Sequence, residues 1–500
     1  MKIFTKTLMA LVATVAIASS AFAGGPMTNT NQSASFLRNP ARGTSLDPDA
    51  VYFNPAGTVF MADGWHLGIG NQFAYQTRST TSTFAPFAMG ALNGGQATKE
   101  FKGSVFSPVI PSLHLTWKHN RWAVMFGMGV NGGGGTIEYD GGLASFERQF
   151  SVLPGAISQL GSSFGLSANQ YSMDMMLKGS SMTLAFNLGA AYRFAEHFSV
   201  VAMVRYSTTS NGYEGHMKNI QTNPTCAALG LSGQMMPAAT FFQQAGAALG
   251  ALNPALAGAA AQYAAMTSDH ILDVKQKGHS ISPILAVAFN NGKWAASVKY
   301  EFKMATELEI ESAEVSAKDP VINGIFPDGA KVENETPALL AVAASRQIGD
   351  VKISLGWNHY FDKAAKNSFT KNTMESSTVA APVYNGQYAA IKGNTNEFLA
   401  GAEWQISDRW LVSAGAQRTQ LNLNEAYYSD MNFSISSWSV ALGFAFNITD
   451  AIRLNAGYMK TLYDEATSTG SYQNLPYVDV YKRTSDAFGI GLDFKFGKKN

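Results

Sequence analysis

Apolar and polar residues alternate with a period of two along most of the chain from residue 64 onward. In the first run Trp65, Leu67 and Ile69 share one face, and His66 and Gly68 lie on the other. Such alternation is typical of β-strands with one apolar face. It predicts an all-β chain with strands at the following segments: 64–78, 101–118, 122–139, 179–194, 198–215, 271–289, 293–308, 336–348, 351–361, 394–406, 410–420, 433–446, 451–461 and 484–496.

The connections between these segments are alternately short and long. Short polar turns occur at 119–121, 195–197, 291–293, 349–350, 407–409 and 449–450. The long connections are 131–179, 207–270, 309–335, 362–393, 421–433 and 461–483. Short turns at one end, long loops at the other and an even number of strands are typical of bacterial outer-membrane barrels. Residues 64–500 are therefore predicted to form a membrane-spanning antiparallel β-barrel of about fourteen strands with long extracellular loops.

Aromatic residues at the ends of the short turns support the membrane barrel. Trp117, Trp122, Trp294, Trp404 and Trp410 all flank such turns, where an amphipathic ring is favoured at the membrane–water interface. A secreted β-sandwich or propeller is the soluble alternative. It would not need aromatic rings at turn ends, and it would carry more surface charge.

The composition agrees with a barrel and excludes two other classes of protein. Charged residues make up 14% of the chain, against ~25% in an average soluble domain. The mean hydropathy of -0.04 is too polar for a bundle of transmembrane helices. The formal net charge of +1 argues against a nucleic-acid partner, which requires a basic surface. In a barrel the shortage of charge has a cause, since half of each strand faces lipid.

The N-terminus has the features of a secretory signal. Lys2 and Lys6 precede an apolar run at 8–17, and Ala21-Phe22-Ala23 fits a small-residue cleavage site. We expect residues 1–23 to be removed and the mature chain to be exported to the outer membrane of a Gram-negative bacterium. The single cysteine, Cys226, cannot form an internal disulfide.

Residues 24–63 precede the first strand and lack its alternation. They contain the turn signals Asn39-Pro40 and Asp47-Pro48. Their apolar content is too high for a disordered tail. This segment is therefore predicted to fold inside the barrel as a plug.

The run Asp-Ala-Val-Tyr-Phe-Asn-Pro-Ala-Gly at 49–57, with its core Asn54, Pro55, Ala56 and Gly57, resembles the hatch signature of FadL-type outer-membrane transporters, the toluene and fatty-acid transport family. Residues 107–131 are similar to the family's second and third strands. The resemblance implies a fourteen-stranded barrel with an N-terminal hatch. It also implies uptake of long-chain fatty acids or related hydrophobic compounds, and the ligand stays open among fatty acids, aromatic hydrocarbons and other lipids.

The connection 207–270 contains a long stretch, 219–268, without a charged residue. Its alanine content favours a pair of short helices. In the resembled family the loops after the fifth and seventh strands form a first hydrophobic docking groove, and this connection follows the predicted fifth strand. The alternative is a loop that caps the barrel or touches lipopolysaccharide. The candidate groove residues, including two from the 131–179 connection, are Phe241, Phe242, Leu249, Leu252, Leu160 and Phe164.

Glycines in the predicted third strand suggest an exit from the barrel. In the resembled family the ligand leaves sideways at a kink in this strand, and Gly127, Gly129 and Gly132 are the candidates here, since glycine inside a strand marks a bend or a close backbone approach. The alternative is that 132–135 only begins a loop. The spacing 127–132 also fits a dinucleotide-binding motif, but no helix start follows it, so we discount that motif.

No spacing of the eight histidines suits zinc, and no Gly-x-Ser-x-Gly elbow is present. We therefore expect no enzyme, no cofactor and no metal. Arg148, Lys178 and Lys218 are interpreted as solvated loop charges, with a ligand carboxylate as the alternative partner. Terminal Phe494 and Phe496 resemble the recognition signal of the barrel-assembly machinery.

The leading hypothesis is passive transport of a hydrophobic small molecule, with outer-membrane lipid and lipopolysaccharide as further partners. A general porin for polar solutes would lack the hatch-like segment. A surface adhesin or receptor remains the other alternative.

Overall fold

The computed structural model describes residues 31–160, 165–250, 254–365, 367–369, 391–430 and 434–497. The predicted signal at 1–23 and the start of the predicted plug lie outside the described residues. Fourteen antiparallel strands form one closed barrel, because the last strand pairs with the first along almost its whole length. The strands are β1 Gly64–Phe84, β2 Thr98–His119, β3 Trp122–Tyr139, β4 Tyr171–Arg193, β5 Phe198–Thr222, β6 His270–Asn290, β7 Trp294–Glu301 with Glu307–Ser312, β8 Lys331–Asn334 with Leu339–Ile348, β9 Val351–Tyr360 with Asn367–Phe369, β10 Thr395–Gln405, β11 Trp410–Gln420, β12 Ser437–Asn447, β13 Ile452–Tyr463 with Ala466–Tyr472, and β14 Leu475–Phe496.

The predicted number and order of strands are confirmed. Several strands extend further towards the long loops than the pattern indicated: β1 reaches Phe84 and β4 begins at Tyr171. The predicted long connection at 461–483 is wrong. There β13 and β14 meet in a tight hairpin at Gln473 and Asn474, which have φ of 51° and 67°, as a type I′ turn requires. The apolar alternation is weak in this part, where β13 carries Thr467, Ser468, Thr469 and Ser471.

The outward face of β6 shows where the membrane lies. Asp273, Lys275 and Lys277 are exposed at its loop end, and from Ile281 to residue 289 the exposed residues are apolar. Nine residues match the 9–11 that a tilted strand needs to cross a bilayer. At the short-turn end, aromatic rings pair across strands, such as Trp65 with Trp117 at 6.4 Å. The barrel therefore crosses a membrane with its lower half and projects beyond it on the loop side.

Short helices occur before β1 and in the long loops. Within the described part of the chain, none is long and apolar enough to span a membrane. The helices are α1 Ala50–Phe53, α2 Ala144–Ser151, α3 Leu153–Leu160, α4 Ala238–Gly250, α5 Pro254–Met266, α6 Glu314–Lys318 and α7 Pro320–Ile325. The helix pair expected between β5 and β6 is present as α4 and α5.

Candidate functional site

The N-terminal segment, residues 31–63, lies inside the barrel and contacts opposite walls of the lumen. On one side Val51 and Val59 pack in an apolar cluster with residues of β3, β4, β5 and β6. On the other side Phe36, Leu37 and Phe53 pack against residues of β10, β12 and β13. Almost every residue of the segment from 32 to 60 is buried. The segment therefore occupies the lumen at the level of the membrane.

The Asn54–Gly57 motif anchors this segment to the barrel wall at the short-turn end of β5. Pro55 begins a short 3-10 helix, Pro55–Phe60, for which its locked φ is suited. The Asn54 side chain donates to the carbonyl oxygen of Ser45 at 3.1 Å. The Ser199 hydroxyl of β5 donates to the carbonyl oxygen of Ala56 at 2.6 Å. A Cβ on Gly57 would lie 2.0 Å from the Asn54 side chain, so the motif requires glycine at this position.

Buried charges hold the other end of the segment. The Arg38 guanidinium is fully buried, donates to Glu403 of β10 at 2.5 Å and donates to the Ser413 hydroxyl of β11 at 3.2 Å. Arg42 donates to the same Glu403 carboxylate at 3.2 Å and to Asp49 at 2.8 Å. Charge-assisted bonds of this kind fix both position and orientation. One glutamate of the wall therefore engages two arginines of the segment.

Inward-facing glycines of the wall make room for this segment. A Cβ on Gly401 would lie 1.9 Å from the Asn39 side chain, and one on Gly415 would lie 2.5 Å from Pro40. Gly401 and Gly415 are register partners on β10 and β11. Strand glycines often mark such a close backbone approach, so this is a sequence signal that pattern analysis of the strands missed.

Two of the predicted groove residues are at the centre of a packed cluster at the barrel mouth. Phe241 and Phe242 of α4 are buried, and Phe242 stacks on Tyr263 of α5 with ring centroids 4.8 Å apart. The cluster also takes in residues from other loops and from the loop ends of several strands, among them Phe84, Phe87, Phe101, Ile137, Phe146, Phe150, Ile157, Tyr213 and Phe326. The side chains of Leu249 and Leu160 are not described, and Leu252 and Phe164 lie outside the described residues.

An apolar recess opens beside this cluster. It is lined mainly by Phe150, Leu153, Tyr263, Met266 and Tyr472, which come from α2, α3, α5 and the end of β13. The predicted loops at 131–179 and 207–270 thus meet at one place, and the hairpin between β13 and β14 completes the wall. This hairpin lies within 461–483, where the sequence pattern predicts a loop and the structure has two strands.

Helix α2 is clamped over the mouth by buried charges. Arg148 donates to both oxygens of Asp479 on β14, at 2.7 and 2.8 Å, and lies 3.6 Å from the centre of the Tyr477 ring. Glu147 accepts from Lys99 of β2 at 2.5 Å and from the Tyr171 hydroxyl at 2.9 Å. The prediction that Arg148 is a solvated loop charge is therefore wrong, because its side chain is buried against β14.

The β2–β3 ladder is interrupted at the loop-side edge of the membrane band. The two strands pair from Ser112 with Gly129 down to the short turn, and pair again at Val105 with Ile137. Between these points residues 106–111 and 130–136, all of them within the described part, have no ladder partner on the facing strand. β3 also bulges twice against β4 over the same stretch. The wall is therefore open to rearrangement here, with Phe106 and Val109 exposed on its outer surface.

The glycines proposed for the exit lie in or next to this interruption. Gly132 is within it, and Gly127 and Gly129 are just below it in the paired part of β3. A Cβ on Gly129 would lie 2.6 Å from the Gln32 side chain, and one on Gly127 would lie 2.9 Å from Val51. The absence of a side chain at these two glycines therefore leaves room for the N-terminal segment to pack against β3. The stretch 132–135 belongs to β3 itself and does not begin a loop.

A pair of ionisable residues joins two of the long loops beyond the membrane band. His270, at the loop end of β6, lies 2.8 Å from Asp319, the N-cap residue of α7, and 3.1 Å from the carbonyl oxygen of Met266. Burial lowers the pKa of His270, but the hydrogen bond and charge of Asp319 outweigh burial and raise that pKa above its ordinary value. Burial raises the pKa of Asp319, but the same pairing lowers it overall. The pairing stabilises the charged forms of both residues.

No family model and no curated relative matches the sequence. Solved structures do match the fold. A FadL homologue from Pseudomonas aeruginosa superposes with a TM-score of 0.59 at 13% identity, covering 95% of this chain and 100% of its own. The toluene transporter TodX from Pseudomonas putida gives 0.55 at 15% identity, covering 91% of this chain and 95% of its own. The expected FadL-type barrel architecture is thus confirmed as a shared fold.

Proposed function

We propose that this protein is a FadL-type transporter that carries hydrophobic molecules across the outer membrane by passive diffusion. The interruption between β2 and β3 is the observation that supports this most directly. A porin for polar solutes passes its cargo along the lumen and needs no opening in its wall. An opening to lipid is useful for a molecule that partitions into the bilayer, and backbone without ladder partners at this depth must be buried against protein or line a cavity.

Capture is assigned to the recess between α2, α3, α5 and the β13–β14 hairpin. Removing apolar surface from water stabilises a bound ligand by ~25 cal/mol per Å². The recess adjoins the packed cluster at the mouth, which extends down to Ile137, the residue directly above the interruption. A ligand that displaces side chains of this cluster would thus move along an apolar path.

The N-terminal segment is proposed to act as the hatch. It occupies the lumen below the cluster and contacts β3 next to the interruption through Gln32, whose side chain donates to the carbonyl oxygen of Val130 at 2.8 Å. A shift of the segment would release this contact and widen the gap. The ligand would then leave sideways through the gap. We propose two further partners: lipopolysaccharide, which surrounds the loops, and the barrel-assembly machinery, which acts during insertion.

Long-chain fatty acids are the proposed ligands, and monoaromatic hydrocarbons are the second candidate. TodX, which has the same fold, is a toluene transporter. Uptake of labelled oleate and labelled toluene by cells with and without the gene distinguishes the two. If neither uptake depends on the gene, the transport proposal fails.

A cross-link across the interruption tests the exit route. A Cβ on Gly135 would lie 3.7 Å from the Cβ of Ser107, which suits a disulfide, since such Cβ atoms are ~3.8 Å apart. In a Cys226→Ser background, Ser107→Cys with Gly135→Cys should block uptake when oxidised and restore it when reduced. The matched control is Thr77→Cys with Thr484→Cys, whose hydroxyls are 2.6 Å apart across the paired β1–β14 wall. Unchanged uptake in the cross-linked protein would exclude lateral exit while leaving transport itself intact.

A further inference from the structure

A polar side chain lies on the lipid-facing surface of β1. Asn71 shares the outward face of this strand with Ile69 and Phe73, which are exposed. The outward residues from Trp65 to Tyr75 are otherwise apolar or aromatic. A side-chain amide in an apolar surrounding is costly unless it forms hydrogen bonds. An asparagine within the apolar band therefore needs a specific reason.

The Asn71 side chain bonds to the backbone of β2 through both of its polar atoms. Its Nδ2 donates to the carbonyl oxygen of Pro108 at 3.1 Å, and its Oδ1 accepts from the backbone N–H of Ile110 at 3.0 Å. A side-chain amide offers the same kinds of donor and acceptor as a peptide group. Asn71 thus supplies two hydrogen bonds of the kind that a neighbouring strand supplies from its backbone.

These two bonds reach the part of β2 that forms one edge of the interruption. Residues 106–111, which the structure describes throughout, have no ladder partner on β3. Against β1 the register shifts so that Pro108 and Val109 lie opposite a single residue, as in a β-bulge. Pro108 and Pro111 have no N–H, and proline within a sheet is confined to bulges and edge strands. The sequence of β2 therefore prevents a regular ladder here, and Asn71 replaces part of it.

The other edge of the interruption is bonded to the N-terminal segment. The Gln32 side chain donates to the carbonyl oxygen of Val130 on β3 at 2.8 Å. The preceding residue, Asn31, donates to the side-chain oxygen of Gln72 on β1. Consecutive residues of the segment thus contact β3 and β1, while Asn71 of β1 holds the β2 edge between them. One edge is bonded to the segment that is proposed to move, and the other is bonded to the barrel wall.

We propose that Asn71 positions the β2 edge of the lateral opening, so that the opening widens by movement of β3 alone. Because Asn71 belongs to the wall, its bonds persist when the N-terminal segment shifts, and the β2 backbone stays satisfied next to lipid. On the opposite edge Gly133 and Gly134 have positive φ, and glycine gives the backbone freedom to rearrange. The proposal rests on the transport function above and deepens it by assigning the moving edge.

Residue-specific amide exchange of the full-length protein in lipid nanodiscs tests which edge Asn71 holds. Asn71→Leu removes both bonds and leaves an apolar residue facing lipid, which a barrel tolerates. The Ile110 amide should then exchange about tenfold faster, while 130–136 keeps its rate. Gln32→Ala should have the opposite effect, with faster exchange at 130–136 and an unchanged Ile110 amide. The matched control is Thr77→Val, which removes an outward-facing bond to Thr484 on β14 and should leave both edges unchanged.

Uptake and binding measured together separate positioning of the exit from a general structural role. In cells with equal amounts of protein in the outer membrane, Asn71→Leu should slow uptake of labelled oleate or toluene about fivefold, the order expected when ordinary hydrogen bonds no longer position the edge. Equilibrium binding of the same compound to the purified variant should be unchanged, because the recess at the mouth is formed by other elements. Asn71→Gln, which keeps both polar groups on a longer side chain, should restore part of the rate.

The possible results separate this role from the transport proposal. If wild type takes up ligand and the Ile110 amide of Asn71→Leu exchanges at the wild-type rate, Asn71 does not hold the edge and transport stands. Faster exchange at Ile110 in Gln32→Ala also overturns the proposal, because the two edges would then move together. An equal loss of binding and uptake in Asn71→Leu would show a general defect and overturn it as well. If wild-type uptake of neither compound depends on the gene, both proposals fail.

Discussion

The Gln32 side chain donates a hydrogen bond of 2.8 Å to the carbonyl oxygen of Val130, at the lower edge of the β2–β3 interruption. Val130 has a ladder partner on β4, Leu184, and none on β2. A residue of the N-terminal segment therefore binds β3 where β2 does not. The segment that occupies the lumen and the strand that opens the wall are therefore joined by one side chain.

Gln32→Ala should loosen β3 at the interruption. The lost bond is worth about 1 kcal/mol, so amide hydrogen exchange at 130–136 should become about fivefold faster, while 122–128 keeps its rate. Gln32→Glu retains the shape but has no donor for a carbonyl, and it should act in the same direction. Gln347→Ala, at an exposed glutamine at the short-turn end of β8, is the control. Unchanged exchange at 130–136 in both Gln32 variants would show that the contact does not restrain β3.

Gly133→Ala should destabilise the barrel. Gly133 has φ of 68°, and an added Cβ would lie 2.2 Å from the backbone oxygen of Ser181 on β4. A left-handed conformation costs a non-glycine residue about 1–2 kcal/mol, and the clash adds to this cost. Gly141→Ala is the matched control, because a Cβ there meets open space. The urea midpoints of the two variants should differ, and equal midpoints would mean that β3 rearranges freely.

Glu403→Gln should release the N-terminal segment. Removing one partner from a buried ion pair costs about 3–5 kcal/mol, and here both Arg38 and Arg42 lose a carboxylate. We expect frequent channel openings in planar bilayers, whereas wild type stays mostly closed. Glu307→Gln is the control, since its pair with Lys331 is about half exposed and such pairs are worth less than about 1 kcal/mol. A Glu403→Gln channel as quiet as wild type would contradict the hatch assignment.

Much of this architecture follows from the sequence, because the lipid-facing residues of each strand have to be apolar and so leave an alternation. Where the barrel projects beyond the membrane, its outward residues no longer have to be apolar. The alternation is therefore lost there, and the sequence pattern does not predict the loop-side half of β13 or the start of β14. The Asn54–Gly57 motif is visible as a local pattern. The contact of Arg38 with Glu403 joins residues 365 positions apart, and the first and last strands pair to close the barrel. No periodicity in the sequence reports either of these relationships.

The His270–Asp319 pair should make the extracellular loops sensitive to pH. His270 has acceptors at both ring nitrogens, so the imidazolium, which donates from both, is favoured. Because its folded pKa is raised, its stabilisation is complete below the unfolded value of about 6.5 and is lost as the pH rises through the folded value. Asp319 has a lowered pKa, so it stabilises the folded loops at pH values above its unfolded pKa of about 3.9. This stabilisation is lost as the pH falls through the folded pKa of Asp319.

The pair is therefore strongest between about pH 4 and 6.5. Hydrogen exchange of α5 and α7, corrected for the intrinsic pH dependence, should show greater protection at pH 5.5 than at pH 8.5. Asp319→Asn, which keeps an N-cap side chain, should remove this difference. A difference that survives in Asp319→Asn would assign the pH effect to other groups.

Arg148→Met should detach α2 from the mouth and allow faster entry of ligand. The substitution leaves the Asp479 carboxylate buried without its cation, at a cost of about 3–5 kcal/mol. Chymotrypsin should then cleave at Phe146 and Phe150, which are buried in wild type. Adding Asp479→Asn removes the uncompensated charge, so the double variant should be more resistant than Arg148→Met alone, with a non-additivity that measures the pair. If the double variant is cleaved as fast as the single one, packing on Tyr477 holds the helix and the ion pair does not.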